Sequence, residues 1–242
     1  MLEDIFTEYV SSYDLTNSDI KLKYNHSLRV MALSEKYAKI LNFSTEDIEL
    51  AKVIGLLHDI GRFEQLKIYK TYSDINSIDH AEYGIKELFE KNVIEKFNIK
   101  KEWYPIIKFA IKNHNKKEIE KCEDERMLKH ARLIRDTDKI DILFLLGKLG
   151  ELDEQKVDEP ISEEVKKEFY NKVQITNKKE MKTNDKHLQY FSYAYDINNE
   201  VCLNEFLDNL KSYYNRVEIN NIFKDYLNEI IKYINGRIDN KW

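Results

Sequence analysis

Apolar residues recur along this chain at intervals of three and four, the spacing of one helix face. Leu22, His26, Arg29 with Val30, Leu33, Tyr37, and Ile40 with Leu41 follow it and predict an amphipathic helix. Ser44-Thr45-Glu46-Asp47 reads as the next helix start, with Ser44 as cap and Asp47 three residues on. That helix carries Ile48, Ala51, Ile54, Gly55 and His58 on one stripe, and Gly61 is expected to close it. Residues 62–76 lose the period and are expected to hold loop. Asn76 or Ser77 is expected to cap a helix through His80, Gly84 and Leu88. Trp103, Ile107, Ala110, Ile111 and His114 share the stripe of the following one. Pro105 falls in its first turn, where a missing N–H costs little. A long helix is expected from Met127 to Leu149, then an acidic surface connection over 150–160 ending in Pro160. Two to four more helices follow, the last around Asn220–Asn235. No β alternation of useful length is present, so the expected fold is all-α, a helical bundle with additional C-terminal helices.

Composition supports this and removes some functions. Hydrophobic residues make up 42% of the 242 positions, enough for a substantial core despite 34% charged residues. Only six glycines and two prolines interrupt the chain, which favours long helices over a turn-rich β architecture. The expected organisation is one domain over 1–242, with a metal-site core at about 20–150 and a C-terminal helical extension at about 160–242. The aromatic stripe Tyr190, Phe191, Tyr193, Tyr195 and Phe206 asks for a partner surface and is expected to pack in a core. Single-strand binding would interleave such rings with basic residues. A net charge of −5 is equally poor for nonspecific nucleic-acid binding. Cys122 and Cys202 form no CxxC and are expected to be inert. The acidic start Met1-Leu2-Glu3-Asp4 lacks a signal peptide's basic region, and the run from Ile142 to Leu146 is too short for a bilayer. A cytoplasmic protein with no membrane partner is expected; a homodimer is left open.

Six residues carry the chemistry: His26, His58, Asp59, His80, His114 and Asp138. The intervals from His26 through His58, His80 and His114 to Asp138 are 32, 22, 34 and 24 residues, each about a helix plus a loop. Successive helices can thus each deliver a ligand to one interior point, as helical bundles do. His26, His58 and His114 fall on apolar stripes. Asp138 shares its stripe with Leu128, Ala131, Ile134, Ile142, Leu145 and Leu149. An inward carboxylate there is expensive unless a cation balances it. Asp136 is the weaker candidate, and Asp141 flanks the stripe. Four imidazoles and two carboxylates exceed the needs of one ion and suit two, with Asp59 between them. Nitrogen and oxygen donors favour two divalent ions, Fe or Mn first, with Mg, Zn, Ni or Co as substitutes. Such a pair activates a shared water and clamps a phosphoryl group. Arg62, through its fork of donors, and Lys139, as a point charge, are expected to offset phosphate charge. His130 and His187 lie in charged stretches and are expected at the surface.

Gly55-Leu56-Leu57-His58-Asp59-Ile60-Gly61 and Arg135-Asp136-Thr137-Asp138-Lys139-Ile140-Asp141 resemble the two principal motifs of the HD-domain superfamily of metal-dependent phosphohydrolases. His26, His58, Asp59 and Asp138 match its core pattern. His80, in Asp79-His80-Ala81-Glu82-Tyr83-Gly84, and His114, in Lys112-Asn113-His114-Asn115, resemble the two extra histidines of its binuclear members. The segment from Tyr190 to Asn198 is similar to the C-terminal helices of a bacterial subgroup. The resemblance implies an all-α hydrolase of phosphomonoesters or phosphodiesters, often of nucleotides, with a small phosphorylated substrate as its partner. It implies His26, His58, Asp59 and Asp138 on one ion, Asp59, His80 and His114 on the other, and a hydroxide between them. The Gly-Tyr-Pro motif of cyclic-dinucleotide phosphodiesterases is absent. Two alternatives share the scaffold: a mixed-valence diiron oxygenase and a noncatalytic nucleotide-binding sensor.

Overall fold

The computed structural model describes residues 2–150 and 156–239 and is helical, with no strand among those residues. Residues 151–155 of the connection expected over 150–160 lie outside the described residues. The chain forms two compact units, Met1–Thr137 and Asp138–Trp242. No helix among the described residues is long and apolar enough to cross a membrane.

The first unit holds α1 (Leu2–Val10), α2 (Ser18–Ile40), α3 (Thr45–Leu57), α4 (Gly61–Tyr69), α5 (His80–Ile85), α6 (Tyr104–Asn113) and most of α7 (Glu125–Phe144). Asn17 caps α2, its side chain accepting from the N–H groups of Asp19 and Ile20. The buried residues of α2 are Ile20, His26, Ser27, Val30, Met31, Ser34, Tyr37 and Ala38, so the expected stripe is its inner face. Ser44 caps α3 as expected, accepting from the Asp47 N–H at 3.2 Å. These two helices pack most closely at Gly55. A Cβ there would stand 2.7 Å from Ser34 Oγ and 2.9 Å from Met31 Cα. The core around them is aliphatic with Phe6, Phe63, Phe97 and Trp103.

Three local expectations are corrected. Gly61 opens α4 instead of ending α3, and of the stretch 62–76 expected to hold loop, residues 62–69 are helical and the irregular part begins at Lys70. Phe63 and Leu66 supply the buried face of this helix, with Gln65, a stripe too short to stand out in the sequence. Gly61 is required by a close approach: a Cβ would sit 2.2 Å from the His80 carbonyl oxygen and 2.6 Å from Gly84 N. The helix bearing His80 is capped by Asp79, not by Asn76 or Ser77; its carboxylate accepts from Ala81 N at 3.0 Å and Glu82 N at 3.3 Å. Pro105 does lie in the first turn of α6.

His130 and His187 are corrected as well. Both are 1% exposed. His130 Nε2 lies 3.2 Å from Asp47 Oδ1, and the same carboxylate receives Arg126 Nε at 2.7 Å and Lys129 Nζ at 2.6 Å. The charged neighbours in sequence are this carboxylate's partners, so a charged stretch marked a buried ion cluster. Burial pushes His130 down to about 4, against the pull of Asp47.

In the second unit are α8 (Glu163–Tyr170), α9 (Thr183–Ser192), α10 (Leu203–Val217) and α11 (Lys224–Asp239). The last helix starts and ends four residues later than expected. Gly147 lets the Leu145–Leu149 turn meet α10, since a Cβ would be 2.7 Å from Tyr213 N. Of the aromatic stripe expected in a core, Phe191 and Phe206 are fully buried, whereas Tyr190, Tyr193 and Tyr195 are half-buried. Phe191 stacks on Phe223 at 5.5 Å. His187 Nδ1 lies 2.6 Å from the Tyr213 hydroxyl.

Gly61→Ala is expected to destabilise the protein by about 1–3 kcal/mol, the usual cost of overpacking, because backbone must move. Gly84→Ala, whose Cβ would meet nothing closer than 3.4 Å, is expected to be neutral or slightly stabilising; denaturant midpoints compare the two. A neutral buried histidine also sets a pH dependence. Unfolded, His130 takes its proton below about pH 6.5, whereas folded it does so only near pH 4. Stability is therefore intact above pH 6.5 and falls as pH drops from 6.5 to 4, by up to roughly 3 kcal/mol. Asp47, held low by its cations although burial opposes this, contributes a separate loss below its unfolded range near pH 3.9. His130→Gln, which keeps a donor for Asp47, is expected to flatten thermal midpoints between pH 6.5 and 4 and leave the lower loss.

Candidate metal centre

The turn between α3 and α4 presents His58 and Asp59 together. His58 is the residue after α3 and keeps helical dihedrals, with φ −56° and ψ −38°. The chain thus turns without leaving the helical region, and both side chains stay inside: His58 is 0% and Asp59 2% exposed. His26 arrives from the inner face of α2, His80 from the first turn of α5 and His114 from the end of α6; all three are buried. The four rings form a chain, with centroid separations of 5.2 Å for His26–His58, 5.2 Å for His58–His114 and 4.9 Å for His80–His114.

Asp59 lies between two pairs of rings. Its Oδ2 is 3.5 Å from His26 Nε2 and 3.7 Å from His58 Nε2. Its Oδ1 is 3.3 Å from His80 Nε2 and 3.6 Å from His114 Nε2. Two donors about 2.1 Å from a shared ion stand roughly 3.0 Å apart at right angles and 3.4 Å apart in a tetrahedron. The separations match such edges. His26, His58 and Asp59 form one group able to hold a metal ion, and Asp59, His80 and His114 another. Burial opposes ionisation of Asp59, but the charge of Lys23, with His58, His114 and His26 around it, holds the carboxyl well below the usual range.

The hydrogen-bond roles of the rings test whether a cation fits. His80 Nδ1 is 2.6 Å from Asp74 Oδ2, and His114 Nδ1 is 2.6 Å from the Ile111 carbonyl oxygen. Both partners only accept, so both Nδ1 atoms carry the proton. The bare Nε2 atoms then face each other at 2.9 Å, lone pair to lone pair. A proton between them is disfavoured, since burial and the Arg62 charge push His80 down to about 4, against the pull of Asp74. A metal ion relieves the repulsion, and a cation also suits His58, whose Nδ1 is 2.8 Å from the Gly55 carbonyl oxygen.

Several supporting residues had no distinctive sequence signal. Asp74 orients His80 and also accepts from Arg62, Gln65 and Asn115. Arg135 is 1% exposed and donates to the carbonyl oxygens of Asn113 at 2.5 Å and Lys116 at 2.7 Å, which fixes the chain on both sides of His114. Lys23, three residues before His26 and so on the same helix face, donates to Asp59 Oδ2 at 2.7 Å. That spacing was the available clue.

The remaining expected residues are placed as follows. Arg62 Nη1 donates to Gln65 Oε1 at 2.8 Å, the Tyr72 carbonyl oxygen at 2.6 Å and Asp74 Oδ1 at 2.8 Å. Its Nε lies 3.6 Å from Asp59 Oδ1 and, though buried, has no hydrogen-bond acceptor. Asp138 lies on α7, one residue past Thr137, whose hydroxyl is 3.1 Å from Ser34 Oγ. Asp138 is half-buried, whereas Asp136 and Asp141 are buried. Lys139 pairs with Asp196 at 2.7 Å.

The family model of the HD domain matches residues 24–143, a span that contains all six expected ligands. No curated protein and no solved structure matches the chain.

Asp74→Asn is expected to lower metal affinity 10- to 100-fold, the usual effect of losing a carboxylate behind a ligating histidine, without unfolding the protein. Titration with Mn2+ followed by calorimetry checks this.

Proposed function

Since the chain belongs to the HD-domain family, we propose that it is a metal-dependent phosphohydrolase acting on a phosphomonoester or phosphodiester, with a nucleotide as the favoured substrate class. The observation that carries this reading is the position of Asp59, each of whose oxygens faces its own pair of imidazole nitrogens at 3.3–3.7 Å. A carboxylate so placed suits a bridge between two ions. His26 and His58 are the ligands on one side of it, and His80 and His114 those on the other; Asp138 keeps its sequence-based assignment as the remaining ligand. Two ions in such a site supply a hydroxide at neutral pH and positive charge at the phosphoryl oxygens.

The chain's own residues contribute position and charge. Asp74 and the carbonyl oxygens of Gly55 and Ile111 hold three rings with Nε2 toward Asp59. The Arg62 Nε–H, buried without an acceptor beside Asp59, is placed to donate to a phosphoryl oxygen. Lys139 is the second cation of the sequence-based reading; its pair with Asp196 makes it the weaker phosphate partner. The donor set has no thiolate, which favours Fe or Mn, with Mg, Zn, Ni or Co as substitutes.

The test is phosphate release from a panel of nucleotides and p-nitrophenyl esters by the Mn2+-loaded protein under strict anoxia, which removes any oxygenase reaction. Asp59→Ala is expected to lower turnover more than about 100-fold, beyond the effect of losing an outer carboxylate, and to lower bound metal with it. Unchanged turnover in that variant would exclude the proposal.

A further inference from the structure

Two cations reach the Asp59 end of the site, and their surroundings differ. Arg62 Nη1 already has three acceptors. Lys23 donates to Asp59 Oδ2, and no other described acceptor takes its ammonium, which leaves two of its three N–H bonds for a ligand. The side chains of Lys23 and Arg62 are 14% and 15% exposed, whereas the four imidazoles are buried. These two cations thus form a partly exposed rim beside the buried donor set. The Tyr72 ring forms its wall, 5.6 Å from Lys23 Nζ and 5.8 Å from Arg62 Cζ. The ring is fixed by its hydroxyl, which donates to the Asp19 carbonyl oxygen at 2.7 Å.

Lys23 sits where a cation is welcome only under some conditions. With Asp59 as its sole partner it forms an ordinary charge-assisted hydrogen bond. If the same carboxylate oxygen serves divalent ions, its charge is shared and the ammonium faces further positive charge. An arriving anion resolves that conflict. We propose that Lys23 binds a non-bridging phosphoryl oxygen of the substrate, with Asp59 as its partner when no anion is bound. This inference rests on the phosphohydrolase reading. It assigns the rim of Lys23, Tyr72 and Arg62 as the phosphate subsite, with Lys23 as its mobile cation and Arg62 as its fixed one.

The experiment uses the full chain loaded with Mn2+, inorganic phosphate as the probe, and Lys23→Met and Lys23→Arg as variants. Phosphate affinity is measured by calorimetry and as the inhibition constant against p-nitrophenyl phosphate; Mn2+ affinity is measured separately. In Lys23→Met, phosphate is expected to bind at least 10-fold more weakly and KM to rise more than kcat falls. Mn2+ is expected to bind as tightly as in the wild type or more tightly, since a competing ammonium is gone. Lys23→Arg is expected to restore most of the phosphate affinity. Phosphate affinity within twofold of wild type in Lys23→Met, beside normal hydrolysis by the wild type, would overturn the assignment of Lys23 alone. Loss of Mn2+ binding in Lys23→Met would also overturn it, because the lysine would then act by holding Asp59. If the loaded wild type neither binds phosphate nor hydrolyses any ester, the underlying reading fails and this inference with it.

Discussion

A single ionised carboxylate, Asp59, is held 2% exposed in the middle of four imidazoles, and the arrangement of the first unit follows from the need to keep it there. Burying a lone carboxylate costs several kcal/mol even after relaxation. Lys23 offsets part of this through a 2.7 Å contact. The rest depends on the four rings around it, whose Nε2 atoms lie 3.3–3.7 Å from its oxygens. Carboxylate and imidazole nitrogens together form a buried donor set that could hold metal ions.

The backbone shows what it takes to bring five such side chains together. Gly55 lets α2 and α3 touch where His26 and His58 must meet, and Gly61 lets α4 pass against the carbonyl of His80. In both places a methyl group would separate ligands that now stand within 4 Å of Asp59. The helix ends do similar work for the rings. His58 and His114 lie at C-terminal ends, where carbonyl oxygens of the last turn are within reach of the Nδ1–H. His80 lies at a helix start, where no such carbonyl exists, and a loop carboxylate, Asp74, takes its Nδ1–H instead. The different partners follow from which end of a helix each histidine occupies.

That logic explains what the sequence revealed. His26, His58 and Asp59 were legible because they interrupt apolar stripes, and helical phase places such residues inside. His114 was legible for the same reason, at the end of a stripe with Pro105 at its start. His80 was reachable through its spacing in the series and its resemblance to a motif, not through helical phase, because a first-turn residue has no stripe to belong to. Asp74 and Lys23 were not singled out: a loop aspartate and a helix lysine look alike whether they face solvent or a buried site. His130 was misplaced for a related reason. Its neighbours Lys129 and Arg126 are charged, yet they turn back onto Asp47, which is itself buried. A linear window counts charges and cannot see that a cap residue on another helix collects them.

The same accounting of charges around Asp59 gives the site a direction. On the Oδ1 side, Arg62 is balanced by Asp74, with which it shares a 2.8 Å contact, and Asp74 also faces His80. On the Oδ2 side, Lys23 has no counterion among the described residues other than Asp59 itself. On the proposed reading, sharing the charge of Asp59 with metal ions would leave the Oδ2 side the more positive of the two. It is also an edge that keeps some exposure to water, so the field there is neither fully screened nor closed off. On the proposed reading, an anion at this edge would meet both Lys23 and the fixed guanidinium of Arg62, which flank the ring of Tyr72. On that reading, substrate orientation would follow from the position of one lysine a single helical turn before the first histidine, which the rest of α2 has only to hold in register.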